Sequence, residues 1–171
     1  MNFMDNDMRK FYTLVFAVTT LFFSQLGLAD TAAAGAAVVP TPYDESADAS
    51  ANIQAALTQA KATKKDVLLI FGANWCKDCV ELDKSLKGRS AALMQKKFIV
   101  VKINVGQFDK NLELANQYGN PIKKGIPAAV LLAPDKQILF ATHGGELADA
   151  RHMGDQGIYD FFNKLTETSH N

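Results

Sequence analysis

The sequence predicts an α/β domain with a mixed central sheet of about four strands and helices on both faces. Three observations lead there. Short apolar runs suited to buried strands alternate with stretches of helical period over residues 51–168. The first two strand-like runs are separated by a helical stretch, so they need a crossover and a parallel pairing. The last two are joined by a short turn, so they form an antiparallel hairpin.

Each element has its own reason. Ile53, Ala56, Leu57 and Ala60 repeat at helical spacing and mark an amphipathic helix. Residues 67–71 are a continuous apolar run, suited to a strand buried on both faces. Cys79, Leu82 and Leu86 lie along a second helix. Residues 98–103 are rich in β-branched side chains and form a second strand. Leu112, Ala115 and Tyr118 mark a short helix that Gly119 ends. Residues 128–132 and 137–141 are strands, and Ala133-Pro134-Asp135-Lys136 between them has the composition of a tight turn. Ile158, Phe161, Phe162 and Leu165 mark a terminal helix.

Composition narrows the class. The chain has 171 residues, 48% hydrophobic and 21% charged, which suits one soluble globular domain. Its 18 basic and 18 acidic side chains balance, so it lacks the basic excess of a nucleic-acid-binding surface. At the start, Arg9 and Lys10 precede an apolar run over residues 11–23, and small residues stand at Gly27 and Ala29. That order reads as a secretory signal peptide over residues 1–29, cut after Ala29. The alternative is an uncleaved membrane anchor, since the stretch to Ala29 approaches the length of a bilayer-crossing helix. Residues 30–50, rich in alanine, proline, threonine and acidic groups, read as a flexible tether, leaving 51–171 as the domain.

The chain has only two cysteines, as Cys76-Lys77-Asp78-Cys79. A disulfide-stapled secreted domain joins distant segments with several bridges, and a bridge across so short a loop removes little unfolded-chain entropy. Stabilisation therefore explains the pair poorly, and chemistry explains it better. A strand running through Gly72-Ala73-Asn74-Trp75 into a helix puts Cys76 at the helix N-terminus. There, free backbone N–H groups and the helix dipole favour a thiolate, the attacking species in disulfide exchange. Cys79 returns to the same side of the first turn, so the two can alternate between dithiol and disulfide.

The stretch from Val67 to Trp75-Cys76-Lys77-Asp78-Cys79 resembles the active site of the thioredoxin superfamily, and Gly125-Ile126-Pro127 stands where that family has its cis-proline loop. The element order agrees over about residues 51–168. The resemblance implies a thioredoxin fold, with Cys76 as nucleophile, Cys79 as resolving cysteine and Pro127 as the cis-proline. It implies that Trp75, Ile126 and Pro127 meet substrate, Ile126 through its backbone groups. With the leader, it implies an exported, periplasmic thiol–disulfide oxidoreductase that reduces or isomerises disulfides of protein substrates. An exported reductant needs electrons from a membrane thiol relay, and no cofactor or nucleic-acid partner is implied. If the leader stays uncleaved, the domain is anchored facing the periplasm.

Departures from the family bear on mechanism. Many thioredoxins place a buried aspartate six residues before the nucleophile, where it assists the resolving thiol; here that residue is Ile70. Proton transfer must then use water or another group. Lys102 aligns with a lysine that assists in some relatives, and it is otherwise a plain strand-edge charge. Lys84 replaces a helix-kinking proline, which implies a straighter helix. Asp78 and Lys77 act in opposite senses on the thiols, and as solvated charges both are screened. Periplasmic oxidants of this family carry a large helical insertion before the cis-proline, whereas one short helix lies between Phe98 and Pro127, which favours a reductase or isomerase. Residues 142–157 make a long connection bordering the groove. Arg151, His152 or Met153 could touch a partner there, or the stretch is a surface loop with a helical turn. The rival to redox turnover is a metal carrier, with zinc on Cys76, Cys79, His143 and His152 or copper on the two cysteines and a histidine, or a redox-inert binding module.

Overall fold

The computed structural model describes residues 41–168, so the leader over 1–29, the first part of the expected tether and residues 169–171 lie outside the described residues. The elements run α1 (Ala49–Thr63), β1 (Asp66–Gly72), α2 (Lys77–Lys87), α3 (Ala91–Lys97), β2 (Phe98–Asn104), α4 (Leu112–Gln117), a 3-10 turn (Pro121–Lys124), β3 (Ala128–Leu132), β4 (Ile138–Ala141) and α5 (Ala150–Thr168). The sheet order is β2-β1-β3-β4. β1 pairs parallel with β2, Ile70 opposite Lys102, and antiparallel with β3, Ile70 opposite Ala129. β3 and β4 form the expected antiparallel hairpin. Helices cover both faces, so the expected mixed four-stranded sheet is the one observed.

β1 is central because it can be. Val67, Leu68, Leu69, Ile70 and Phe71 are all fully buried, and together with Leu131, Leu132, Ile53, Leu82, Ile103 and Phe162 they make the core. A strand buried on both faces shows no alternation, hence its continuous apolar run. α1 starts from Asp48, whose carboxylate accepts a hydrogen bond from Ala51 N at 2.9 Å. α2 runs unbroken past Lys84 to Lys87, as the missing proline implies.

The structure departs from the sequence reading in three places. The expected tether ends sooner: α1 begins at Ala49, and Tyr43 is fully buried against the core, because an aromatic ring excluded from water outweighs the coil-forming composition around it. After α2 the chain turns through Gly88 and restarts as α3, a seven-residue helix too short to show a period. In α5 the helix is interrupted at Gly154 (φ 64°, ψ 170°), a left-handed φ that glycine adopts without a Cβ clash. The connection after β4 is thus a loop over 142–149 followed by a helical turn.

Candidate active site

The site sits where the C-terminal end of β1 delivers the chain to α2. Cys76 is the N-cap of α2: its backbone is extended (φ −79°, ψ 110°) and its Sγ accepts a hydrogen bond from Cys79 N at 3.1 Å. Cys76 and Cys79 are joined as a disulfide with Cα atoms 5.2 Å apart. Both cysteines are buried, Cys76 with 6% of its surface left exposed and Cys79 with none, so the little exposure the pair has lies at Cys76. Cys76 Sγ also lies 3.5 Å from the Ile126 carbonyl oxygen, and the Ile126–Pro127 peptide is cis. Ile126 and Pro127 are themselves buried, and the Ile126 backbone carbonyl borders the sulfur.

Trp75 projects outward, 49% exposed. Its Nε1 donates to Gly106 O at 2.8 Å, and its ring meets Phe108 edge-on at 6.0 Å between centroids. The loop that receives it is built by Asn104, whose Oδ1 accepts from Gly106 N and whose carbonyl accepts from Asn111 Nδ2. Trp75 and Phe108 together form an exposed aromatic step beside the bridge.

On the other side of the bridge the walls are closed. Asn74 donates through Nδ2 to Tyr43 O and accepts through Oδ1 from Tyr43 N, both at 2.9 Å. This two-way amide pairing straps the segment before α1 to the loop before Cys76. A Cβ on Gly72 would overlap the Tyr43 hydroxyl and lie 2.9 Å from Cys79 Sγ, so only glycine fits there. The Tyr43 hydroxyl finds no hydrogen-bond partner among the described residues. A buried hydroxyl in that state costs ~1–3 kcal/mol. Burial, helped by the negative charge of Asp83, pushes its pKa well above the ordinary phenol value.

Lys102 is no free edge charge. Its Nζ lies 3.2 Å from Asp83 Oδ1 and 5.3 Å from the centre of the Tyr43 ring, and Lys87 takes the other Asp83 oxygen at 2.7 Å. Burial lowers the Lys102 pKa, and Asp83 offsets only part of that. Ile70 is fully buried in its place on β1, so the position of the family's aspartate is apolar.

Asp78 corrects the expectation of a solvated charge. Its side chain is 14% exposed, and its Oδ1 accepts from Arg151 N at 3.0 Å and Arg151 Nε at 3.1 Å. Burial pushes the carboxyl up, but the Arg151 hydrogen bonds and charge, with a smaller pull from His152, outweigh it and hold the carboxyl below its ordinary value. The start of α5 is thereby pinned to the first turn of α2. The loop before it leans on the turn that precedes the cis-proline: a Cβ on Gly125 would meet Ala148 at 3.1 Å. The 142–157 connection therefore touches both the first turn of α2 and the turn before the cis-proline.

The structure brings Trp75, Cys76, Cys79, Ile126 and Pro127 to one place. His143 and His152 are exposed, His152 against Asp149, and among the described residues no group of three or more His, Cys, Asp or Glu could hold a metal ion. Sequence reasoning passed over Tyr43, Asn74 and Asp83. The lone aromatic five residues before the helix cap Asp48 was the available signal for Tyr43.

Comparison with known proteins agrees with this geometry. Residues 48–134, about half of the chain, match the Thioredoxin-like family. A disulphide isomerase from Xylella fastidiosa Temecula1 is 56% identical, with TM-score 0.73, over 75% of this chain and 98% of that one. The germline-specific thioredoxin Deadhead of Drosophila melanogaster is 28% identical (TM-score 0.41; 58% of this chain, 85% of that one). A thioredoxin from Thermus thermophilus is 22% identical (TM-score 0.47; 67% and 81%). These last two likenesses are too slight to add weight. No curated protein matches. The Xylella match spans nearly the whole of its partner at high identity, and the chain belongs to the thioredoxin-like family, as a thiol–disulfide oxidoreductase.

Proposed function

We propose that the enzyme acts outside the cytoplasm on protein substrates, reducing or isomerising their disulfides through Cys76 and Cys79. The observation that carries this reading is a bonded pair of cysteines at the start of α2, Cys76 capping the helix beside the Ile126 carbonyl and Cys79 wholly buried one turn on. In the reduced enzyme the Cys76 thiolate attacks a substrate disulfide, forming a mixed disulfide and releasing one substrate thiolate. Cys79 then gives up its proton and attacks Cys76 Sγ. The Cys76–Cys79 bond forms, and the second substrate sulfur leaves as a thiol. In isomerisation the substrate's own thiol displaces Cys76 instead. Ile126 and Pro127 border the entering chain, and Trp75 with Phe108 offers it an apolar platform.

The Xylella fastidiosa relative, called a disulphide isomerase, supports the isomerase side of this reading. Only α4 and the 3-10 turn lie between β2 and Pro127, which supports a reductase or isomerase over an oxidant. Export rests on the leader pattern of residues 1–29. An oxidising compartment would keep the pair bonded, so a membrane-borne thiol relay must supply electrons.

Insulin reduction by dithiothreitol and reactivation of scrambled ribonuclease test the activity. Wild-type protein accelerates at least one of them and Cys76→Ser neither; equal rates in the two proteins contradict the proposal. Fractionation tests the location. A periplasmic species beginning at Asp30 is expected, and a full-length cytoplasmic species contradicts export.

A further inference from the structure

The interior side of the bridge holds a polar group that the exchange steps above leave unused. The Tyr43 hydroxyl is fully buried, lacks a partner among the described residues, and shares with Cys79 Sγ the space beside Gly72, where an added Cβ would overlap the hydroxyl and lie 2.9 Å from the sulfur. The Asn74 amide clamp fixes Tyr43 there from the backbone. A disulfide sulfur is a weak acceptor, whereas a thiolate is a strong, charged one. A buried donor that is unsatisfied in the bonded state and satisfied in the reduced state favours the reduced state.

We infer that Tyr43 donates a hydrogen bond to the Cys79 thiolate and so prepares the resolving sulfur to attack the mixed disulfide. The role rests on Cys76 and Cys79 cycling as proposed above. Tyr43 keeps its own proton throughout; its raised pKa keeps it a donor over the working range. The proton lost by Cys79 ends on the departing substrate sulfur as the Cys76–Cys79 bond forms and the Cys76–substrate bond breaks. The charged groups around the two partners are Lys102 from β2, Asp83 and Lys87 from α2, Glu45 on Asn74, and Asp78 with Arg151 and His152 at the junction of α2 and α5. A Tyr43→Phe change leaves all of them in place and removes one oxygen.

The test needs no turnover. In Cys76→Ser protein, Cys79 is the sole thiol, and the pH dependence of its alkylation gives its pKa. Adding Tyr43→Phe should raise that pKa by about one unit, a tenfold loss of thiolate at a given pH; an unchanged or lowered pKa overturns the inference. In the unmutated reduced protein, the Tyr43 ring carbon bearing the hydroxyl should shift in NMR as Cys79 titrates, and a resonance indifferent to that titration overturns it as well. With both cysteines present, Tyr43→Phe should move the glutathione equilibrium about tenfold toward the disulfide, ~30 mV more negative. A wild-type pair that never exchanges with glutathione would instead sink the proposed function, while the Cys79 pKa comparison would still stand or fall alone.

Discussion

Cys76 and Cys79 share one turn of helix and one covalent bond, yet the molecule treats their two sides differently. The Cys76 side is made of loops: the Trp75–Phe108 step, the Ile126 carbonyl and the 142–149 connection. The Cys79 side is made of packed elements: the end of β1 at Gly72, the Tyr43 strap and the Lys102–Asp83–Lys87 ion cluster. Loops can vary to suit a partner, whereas packed elements hold a sulfur still. Under the proposed function, the difference teaches that recognition and resolution fall to separate parts of the chain.

The strongest way to break this comparison is to remove each sulfur in turn. Cys76→Ser should lose disulfide exchange down to the uncatalysed rate. Cys79→Ser should still attack and should accumulate mixed disulfides, visible as heavier bands on non-reducing gels. Identical behaviour of the two variants would erase the division. Next comes packing. Gly72→Ala should destabilise the fold by ~1–3 kcal/mol in urea unfolding, because the new methyl collides with Tyr43 and crowds Cys79 Sγ. Gly144→Ala on the loop side meets no atom closer than 3.8 Å and should stay within ~0.5 kcal/mol of wild type.

Recognition should respond less. Trp75→Ala should raise KM for a protein substrate by about fivefold, the loss of ~1 kcal/mol typical of an interface aromatic, with the redox potential unmoved. The smallest effect concerns Asp78. Its folded pKa is depressed, so its contribution to stability is present above the unfolded carboxyl pKa and disappears as pH falls through the folded value. Asp78→Asn should therefore unfold more easily than wild type at neutral pH, and the gap should close on acidification below about pH 4. Added salt should narrow the gap too, since Arg151 is exposed.

The sequence showed most clearly what the chain does locally. The run over 67–71, the Cys76–Cys79 spacing and the period of α2 depend on neighbours a few residues apart, and each was readable. Pro127 was placed by resemblance, because the isomer of an X–Pro bond leaves no mark of its own in the sequence. What escaped depends on distance along the chain. Tyr43 and Asn74 are 31 positions apart, and Arg151 and Asp78 are 73 apart. Composition around Tyr43 suggested coil, yet burial of one ring decides its position. α3 escaped for a local reason, being only seven residues long behind a glycine break.

The central claim is that Cys76 and Cys79 pass reversibly between dithiol and disulfide. Equilibrating the protein over a series of glutathione buffers, trapping free thiols with an alkylating agent and weighing the products by mass spectrometry measures this directly. A single two-electron transition is expected, with both thiols appearing together at a potential nearer ~−270 mV than ~−120 mV. A pair that stays wholly bonded or wholly free across the series, or thiols that appear one at a time, would contradict it.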